Sequence, residues 1–183
     1  MSTAPAVTVR AAPGAPALVF VRRATEGDRQ ALVRMLARCS GETRYRRFHG
    51  PVRLFPERYL TEALSGSPVH FALVASVPSA SGAEGAVGED AVGEDVVALA
   101  SCRAVAEGVA ELGVLVEDAW QRRGIGDRLL REMTDFATRS GLRALQAQLL
   151  AEQPWIAGLL RRYGRCETVA TGGLLTVTVR LPR

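Results

Sequence analysis

Val114-Leu115-Val116-Glu117-Asp118-Ala119-Trp120-Gln121-Arg122-Arg123-Gly124-Ile125-Gly126 is the stretch whose reading decides the fold, because an apolar strand passes there through a short loop into a helix that begins at glycine. A helix N-terminus presents unpaired N–H groups and a partial positive charge, and glycine lets a phosphate approach the backbone without a Cβ in the way. Flanking arginines add charge-assisted bonds. The stretch has the design of a phosphate cradle, although a helix start that merely uses glycine would read the same way. It lacks the Gly-Lys-Ser/Thr ending of a Walker loop, and it is not a G-x-G-x-x-G dinucleotide fingerprint.

Downstream, Leu129, Leu130, Met133, Phe136 and Ala137 mark one face of a helix that stops at Gly141. Residues 144–150 read as a strand. Trp155, Ile156, Leu159, Leu160 and Tyr163 read as the buried stripe of a further helix ending near Gly164. The final segment alternates, with Leu175, Val177, Val179 and Leu181 on one face and Thr176, Thr178 and Arg180 on the other, as in a half-buried strand.

Upstream, residues 109–116, 95–105 and 70–77 form an antiparallel meander with a turn at Glu107-Gly108. A Ser, Gly and acidic segment, residues 79–94, joins strand 70–77 to strand 95–105. It contains the tandem repeat Ala86-Val87-Gly88-Glu89-Asp90 and Ala91-Val92-Gly93-Glu94-Asp95, and it reads as a flexible, expanded hairpin loop. Nearer the start, residues 17–21 form a first strand. Thr25 and Asp28 make a capping-box start to a helix that buries Leu32, Met35, Leu36 and Cys39 and ends at Ser40-Gly41. Pro56 opens a second short helix through about Ala63. In the Arg44–His49 segment, Tyr45 and Phe48 are expected to anchor to the core, with Arg44, Arg46 and Arg47 solvated or facing substrate.

A chain of 183 residues, 48% hydrophobic and 23% charged, has room for one domain with a sizeable core. The expected organisation is a disordered tail over residues 1–16 and a single domain over 17–183. No secretion signal or membrane-length apolar run is present, so a cytoplasmic location is expected. The three cysteines, Cys39, Cys102 and Cys166, form no C-x-x-C pair and read as small buried hydrophobes. The formal charge is +4, and all 23 basic residues are arginine. His49 and His70 are isolated and read as structural; no metal site is expected.

With these elements in order, the chain resembles the GNAT superfamily of N-acetyltransferases, whose acyl-CoA signature Q/R-x-x-G-x-G/A follows the fourth strand. The resemblance implies a mixed α+β fold, in which a central, mostly antiparallel twisted sheet with splayed strands 4 and 5 is flanked by helices. A closer similarity, to the catalytic domain of bacterial Pat-type protein lysine acetyltransferases, rests on Glu42-Thr43-Arg44-Tyr45-Arg46-Arg47-Phe48, Ala110-Glu111 and Leu150-Ala151-Glu152-Gln153-Pro154-Trp155. It implies acetyl-CoA as co-substrate, held by the backbone of Val114, Leu115 and Val116 where the strands part beyond a bulge. The pyrophosphate would meet Gln121, Arg122, Arg123, Gly124, Ile125 and Gly126, with first-turn N–H groups of Asp127 and Arg128, and Gln153 stands where the family often has Asn.

Acyl transfer needs a neutral amine, whereas a free alkylamine titrates near ~10.4, so a carboxylate in the cleft is useful. Strand alternation puts Glu111, Gly113 and Leu115 on one face, and the resemblance matches Glu111 with the family's general base; Glu117 and Glu152 are alternatives. The tyrosine that commonly protonates the departing sulfur is replaced by Leu160, and Tyr163 is expected to pack in the core. The expected acceptor is a protein lysine, the alternatives being a small amine substrate or a non-catalytic acetyl-CoA sensor. No nucleic-acid or membrane partner is expected, and the chain would act as a monomer or homodimer.

Overall fold

The computed structural model describes residues 7–10, 16–67, 70–79 and 94–182. Among the described residues eight strands form one sheet in the order β1-β2-β3-β4-β5-β6-β8-β7. They are β1 (Val7–Arg10), β2 (Pro16–Arg23), β3 (His70–Pro78), β4 (Glu94–Ala106), β5 (Val109–Val116), β6 (Ala144–Leu150), β7 (Arg165–Thr171) and β8 (Leu174–Arg180). The helices are α1 (Arg29–Arg38), α2 (Gly41–Phe48), α3 (Glu57–Leu64), α4 (Ile125–Arg139) and α5 (Pro154–Leu160). Every neighbouring pair of strands is antiparallel except β5 and β6, which run parallel. Among the described residues no helix is long and apolar enough to cross a membrane.

The sheet divides the core in two. On one face α4 and α5 cover Phe71, Leu73, Leu112, Leu145 and Val177; on the other, α1 and α3 cover Ala72, Val74, Leu99 and Leu115. Strands β3 and β4 are therefore buried on both sides, and their seven-residue buried runs explain why they read as continuous apolar stretches. Helix α4 buries Leu129 and Met133 completely, each contributing about 1.5–3 kcal/mol of burial.

Two local findings alter the reading from sequence. Val7–Arg10, inside the stretch expected to be a disordered tail, pairs with β2 as the edge strand β1; the fourth and fifth strands of the family count are accordingly β5 and β6. Ser40-Gly41 ends α1 and also starts α2, because Ser40 is an N-cap whose Oγ accepts from Thr43 N–H at 3.1 Å. That cap was legible as Ser followed by polar residues, but the arginines hid the helix. The tandem-repeat loop falls almost wholly outside the described residues.

The capping box holds: Thr25 N–H donates to Asp28 Oδ2 at 2.8 Å, while Arg22 grips the same carboxylate through both Nη atoms at 2.8 Å.

The parallel pairing of β5 with β6 is only three residues long, Val109 with Ala144, Ala110 with Leu145 and Glu111 with Gln146. Beyond Glu111 the strands part. Strand β6 stays with β8 through Leu150, and β5 stays with β4 through Val116. The β4–β5 register is unbroken from Cys102 to Ala98, and its shift lies back at Ala104/Ala106. The fork thus opens without a bulge in β5 itself, contrary to the expectation of one, and it leaves the β6-facing backbone edge of Leu112–Val116 to the space between the strands.

Candidate active site

A cleft of about 1030 Å³ fills the fork. Its donor-side wall is built by the loop after β5. Gly124 caps α4 in a left-handed conformation (φ 82°), and Arg122 is also left-handed (φ 57°). The first main-chain bond of the helix runs from Arg128 N–H to Gly124 O at 2.9 Å, so the N–H groups of residues 124–127 have no acceptor one turn back. A Cβ at Gly124 would meet nothing within 4 Å, and one at Gly126 would touch only Val116 Cγ2 at 3.9 Å. These glycines leave room above the helix start for a phosphate group rather than solving a packing conflict.

Polar bonds fix this loop. Gln121 Nε2 donates to Val116 O and to Thr43 Oγ1, both at 3.0 Å. Asp118 accepts from Ser40 N–H at 2.7 Å, Ser40 Oγ at 2.8 Å and Thr43 Oγ1 at 2.8 Å. Desolvation pushes the Asp118 carboxyl up, but the bonds from Ser40 and Thr43 outweigh it and hold it below the usual carboxylate value.

The other wall comes from α2. Arg47 lays its guanidinium on β5 at Gly113, where an added Cβ would stand 2.1 Å from Nη2. Arg47 Nη2 donates to Tyr59 Oη at 2.9 Å and Ser101 Oγ at 3.1 Å, and its Cζ lies 4.9 Å from the Phe48 ring centre. Gly113 therefore leaves room for the Arg47 guanidinium to lie on the strand.

Glu111 lines the cleft at the point of the fork, and its Oε2 is 2.6 Å from Arg103 Nη2 on the neighbouring strand. The alternative carboxylates are elsewhere. Glu117 is buried in an ion pair with Arg38 at 2.9 Å, and Glu152 is exposed; neither lines the cleft.

Of the residues assigned to the donor site, Val114, Leu115, Val116, Gln121, Arg122, Gly124, Gly126, Asp127 and Gln153 line the cleft. Ile125 is fully buried in the core, Arg123 lies over the Trp120 ring at 5.1 Å, and Arg128 pairs with Glu132 at 2.6 Å. None of these three side chains lines the cleft; the N–H of Ile125 is among those with no acceptor one turn back, whereas Arg128 N–H is already bonded to Gly124 O at 2.9 Å, so Arg128 does not supply the first-turn donor expected of it.

Tyr163 packs against the core and donates its hydroxyl to Asp127, 2.7 Å from Oδ1 and 2.9 Å from O. Burial and then that bond raise the phenol well above its ordinary value, so it stays protonated as an anchor for the first turn of α4. Leu160 is buried against the cleft.

Four residues were placed differently by the sequence reading. Tyr45 is 47% exposed, because only Phe48 faces the Phe55 and Tyr59 rings. Trp155 is 66% exposed at the cleft; the true stripe, Ile156, Leu159, Leu160 and Tyr163, keeps helical spacing without it. Cys166 is only partly buried, unlike Cys39 and Cys102. His49, read as structural, lines the cleft as the left-handed C-cap of α2. Its position ahead of Gly50 at a helix end was the available signal. Among the described residues no group of three or more His, Cys, Asp or Glu is placed to hold a metal ion.

A β-sheet parted at one parallel pair, with a glycine-opened helix start beside the gap, is the donor architecture of an acyl-CoA transferase. The Acetyltransferase (GNAT) family matches residues 56–164, more than half of the chain, and the chain belongs to that family. It is an acetyl-CoA-dependent N-acetyltransferase. Among solved structures, the GNAT domain of S. lividans PAT superposes with a TM-score of 0.74 at 22% identity, over 97% of this chain and 96% of that one. A GCN5-related N-acetyltransferase from Kribbella flavida gives 0.62 at 21% identity, over 90% and 98%. A cAMP-binding acyltransferase from Mycobacterium smegmatis gives 0.54 at 26% identity, covering 98% of this chain but 48% of that protein, so the chain spans about half its length. A search among curated proteins finds no match.

Proposed function

We propose that this enzyme acetylates the ε-amine of a protein lysine by direct attack on acetyl-CoA, with Glu111 taking the proton of the incoming ammonium. The observation that carries the reading is the meeting, in one cleft, of the Glu111 carboxylate and the β5 edge released at the fork. The similarity to Pat-type domains, seen in the sequence and in the superposition on S. lividans PAT, supports the choice of a protein acceptor.

The residues present suit acetyl-CoA. The start of α4 and Arg122 face the pyrophosphate, and the backbone of Val114–Val116 runs beside the pantetheine arm. The co-substrate supplies an activated acyl thioester. Backbone groups of Leu115 and Val116 polarise its carbonyl, and Arg103 on the neighbouring strand holds the Glu111 side chain in place through an ion pair of 2.6 Å. A thiol leaves as a tolerable thiolate, with a free value near ~8.5, so Leu160 in place of a tyrosine is compatible with turnover.

The test is release of free CoA thiol with a panel of lysine-bearing proteins and small amines, with acetylated sites located by mass spectrometry. The chain contains no lysine, so lysine self-acetylation adds no background. Acetylation of protein lysines supports the reading. Turnover confined to small amines, or acetyl-CoA binding without turnover, contradicts it.

A further inference from the structure

Among the described residues only two that are not glycine adopt a left-handed backbone, Arg122 and His49, and both line the cleft. Arg122 belongs to the donor wall. His49, at φ 55°, closes α2 with its N–H bonded to Tyr45 O at 2.7 Å, although a glycine suited to that conformation follows directly at Gly50. A left-handed non-glycine residue is strained and persists where its surroundings hold it, typically at functional sites.

The imidazole spans the fork. It reaches towards the Gln148 backbone on β6 and lies in the fields of Glu111 on β5 and Arg47 on its own helix. Its Nε2 is buried without a hydrogen-bond partner, and buried polar atoms left in that state are few in native proteins. Burial lowers the ring's proton affinity, Arg47 lowers it further, and Glu111 and the Gln148 backbone oppose them; the net value lies below 6.5. Arg103 faces the same cluster through Glu111. These surroundings favour the neutral imidazole, whose Nε2 is left without a partner.

We propose that His49 is a second proton carrier of the acceptor site, accepting the amine's second proton during attack and returning it to the departing sulfur. This rests on the amine-acetylation reading above. Glu111 takes the first proton from the ammonium and passes it to solvent. The neutral nitrogen then forms the C–N bond, the C–S bond breaks with its electron pair on sulfur, and the proton left on nitrogen moves to the imidazole. Glu111, again ionised, stabilises the imidazolium, which protonates the thiolate and is neutral once more. The sum is one amide, one thiol and one proton released. The pathway places a proton donor in a cleft where Leu160 stands and Tyr163 is committed to Asp127.

His49→Gly and His49→Gln test it in the full chain with acetyl-CoA and a lysine-bearing acceptor. Glycine suits φ 55°, so His49→Gly should melt no lower than wild type. Its acetyl-CoA Kd should change by less than about threefold, while kcat/KM for the acceptor falls at least about tenfold and its acid limb shifts. Added imidazole should restore activity to His49→Gly and leave wild type unaffected. Wild-type kcat/KM in both variants, or an active His49→Gly beside an inactive His49→Gln, overturns the proposal and leaves the acetylation reading standing. A wild-type chain that binds acetyl-CoA yet acetylates no lysine overturns that reading, and this inference with it.

Discussion

Gln121 Nε2 lies 3.0 Å from Thr43 Oγ1, and through that bond the loop that forms the donor wall is tied to the helix that forms the acceptor wall. The same amide holds Val116 O at 3.0 Å, at the end of the released strand. Thr43 passes the link to Asp118 and so back to the loop. Donor and acceptor walls are therefore positioned by one set of polar contacts.

Replacing Gln121 by Ala removes both bonds and frees the loop. Two hydrogen bonds of about 1 kcal/mol each correspond to a loss of roughly tenfold or more in acetyl-CoA affinity. Calorimetric titration checks this, and a Kd within twofold of wild type would mean that the loop holds its shape without the amide.

Arg122, rather than Arg123, presents its side chain to the cleft. Saturation at one hundred times Kd raises apparent stability by roughly 2.7 kcal/mol. Arg122→Glu should abolish most of the corresponding melting shift by placing a carboxylate against the phosphates. Arg123→Glu, at a residue set over Trp120, should cost less. Equal loss in the two variants would contradict this division of roles.

The donor signature was legible because it is local: strand, loop and glycine-opened helix are consecutive, and glycine states its backbone need openly. Most strands followed from their apolar runs and alternation for the same reason. The acceptor wall was not legible. Arg47 reads as a solvated residue until α2 folds over β5, and only the tertiary approach to Gly113 reveals that its guanidinium is packed. Glu111 and Glu117 look alike near the two ends of one strand, yet Arg38 from a distant helix captures the second. Trp155 was taken into the stripe beside it because a one-residue offset is small in sequence but about 100° around a helix.

Gly113→Ala forces the Arg47 guanidinium off the strand. The obstructing atoms are the end of a flexible side chain, so the fold should survive with a loss of about 1–3 kcal/mol, typical of overpacking. The acceptor KM should rise several-fold while acetyl-CoA affinity stays near wild type. Steady-state kinetics against both substrates separate these effects, and an unchanged acceptor KM would detach Arg47 from the acceptor wall.

Asp118 links stability to pH. Its folded value is depressed below the unfolded one of about 3.9, so its contribution is complete above that pH and disappears as pH falls through the folded value. Asp118→Asn should cost about 1 kcal/mol near neutrality by weakening the anchor of α2. The difference from wild type should shrink below pH 4. Urea unfolding at several pH values gives the comparison, and a constant difference down to pH 3 would show that the charge is immaterial.

The central claim is that acetyl transfer to an amine takes place at the fork, with Glu111 as proton acceptor. Its most direct test is kcat/KM of Glu111→Gln against wild type, measured from acetyl-CoA-dependent acetylation of a lysine-bearing protein across pH. The substitution preserves size and leaves the backbone-built donor site alone, so acetyl-CoA affinity should stay within a few-fold. Turnover near neutral pH should fall by more than about tenfold, within the 10²–10⁴ range typical of positioned acid–base groups, and the defect should narrow as rising pH supplies free amine. A Glu111→Gln enzyme with wild-type turnover and an unchanged pH profile would contradict the assignment.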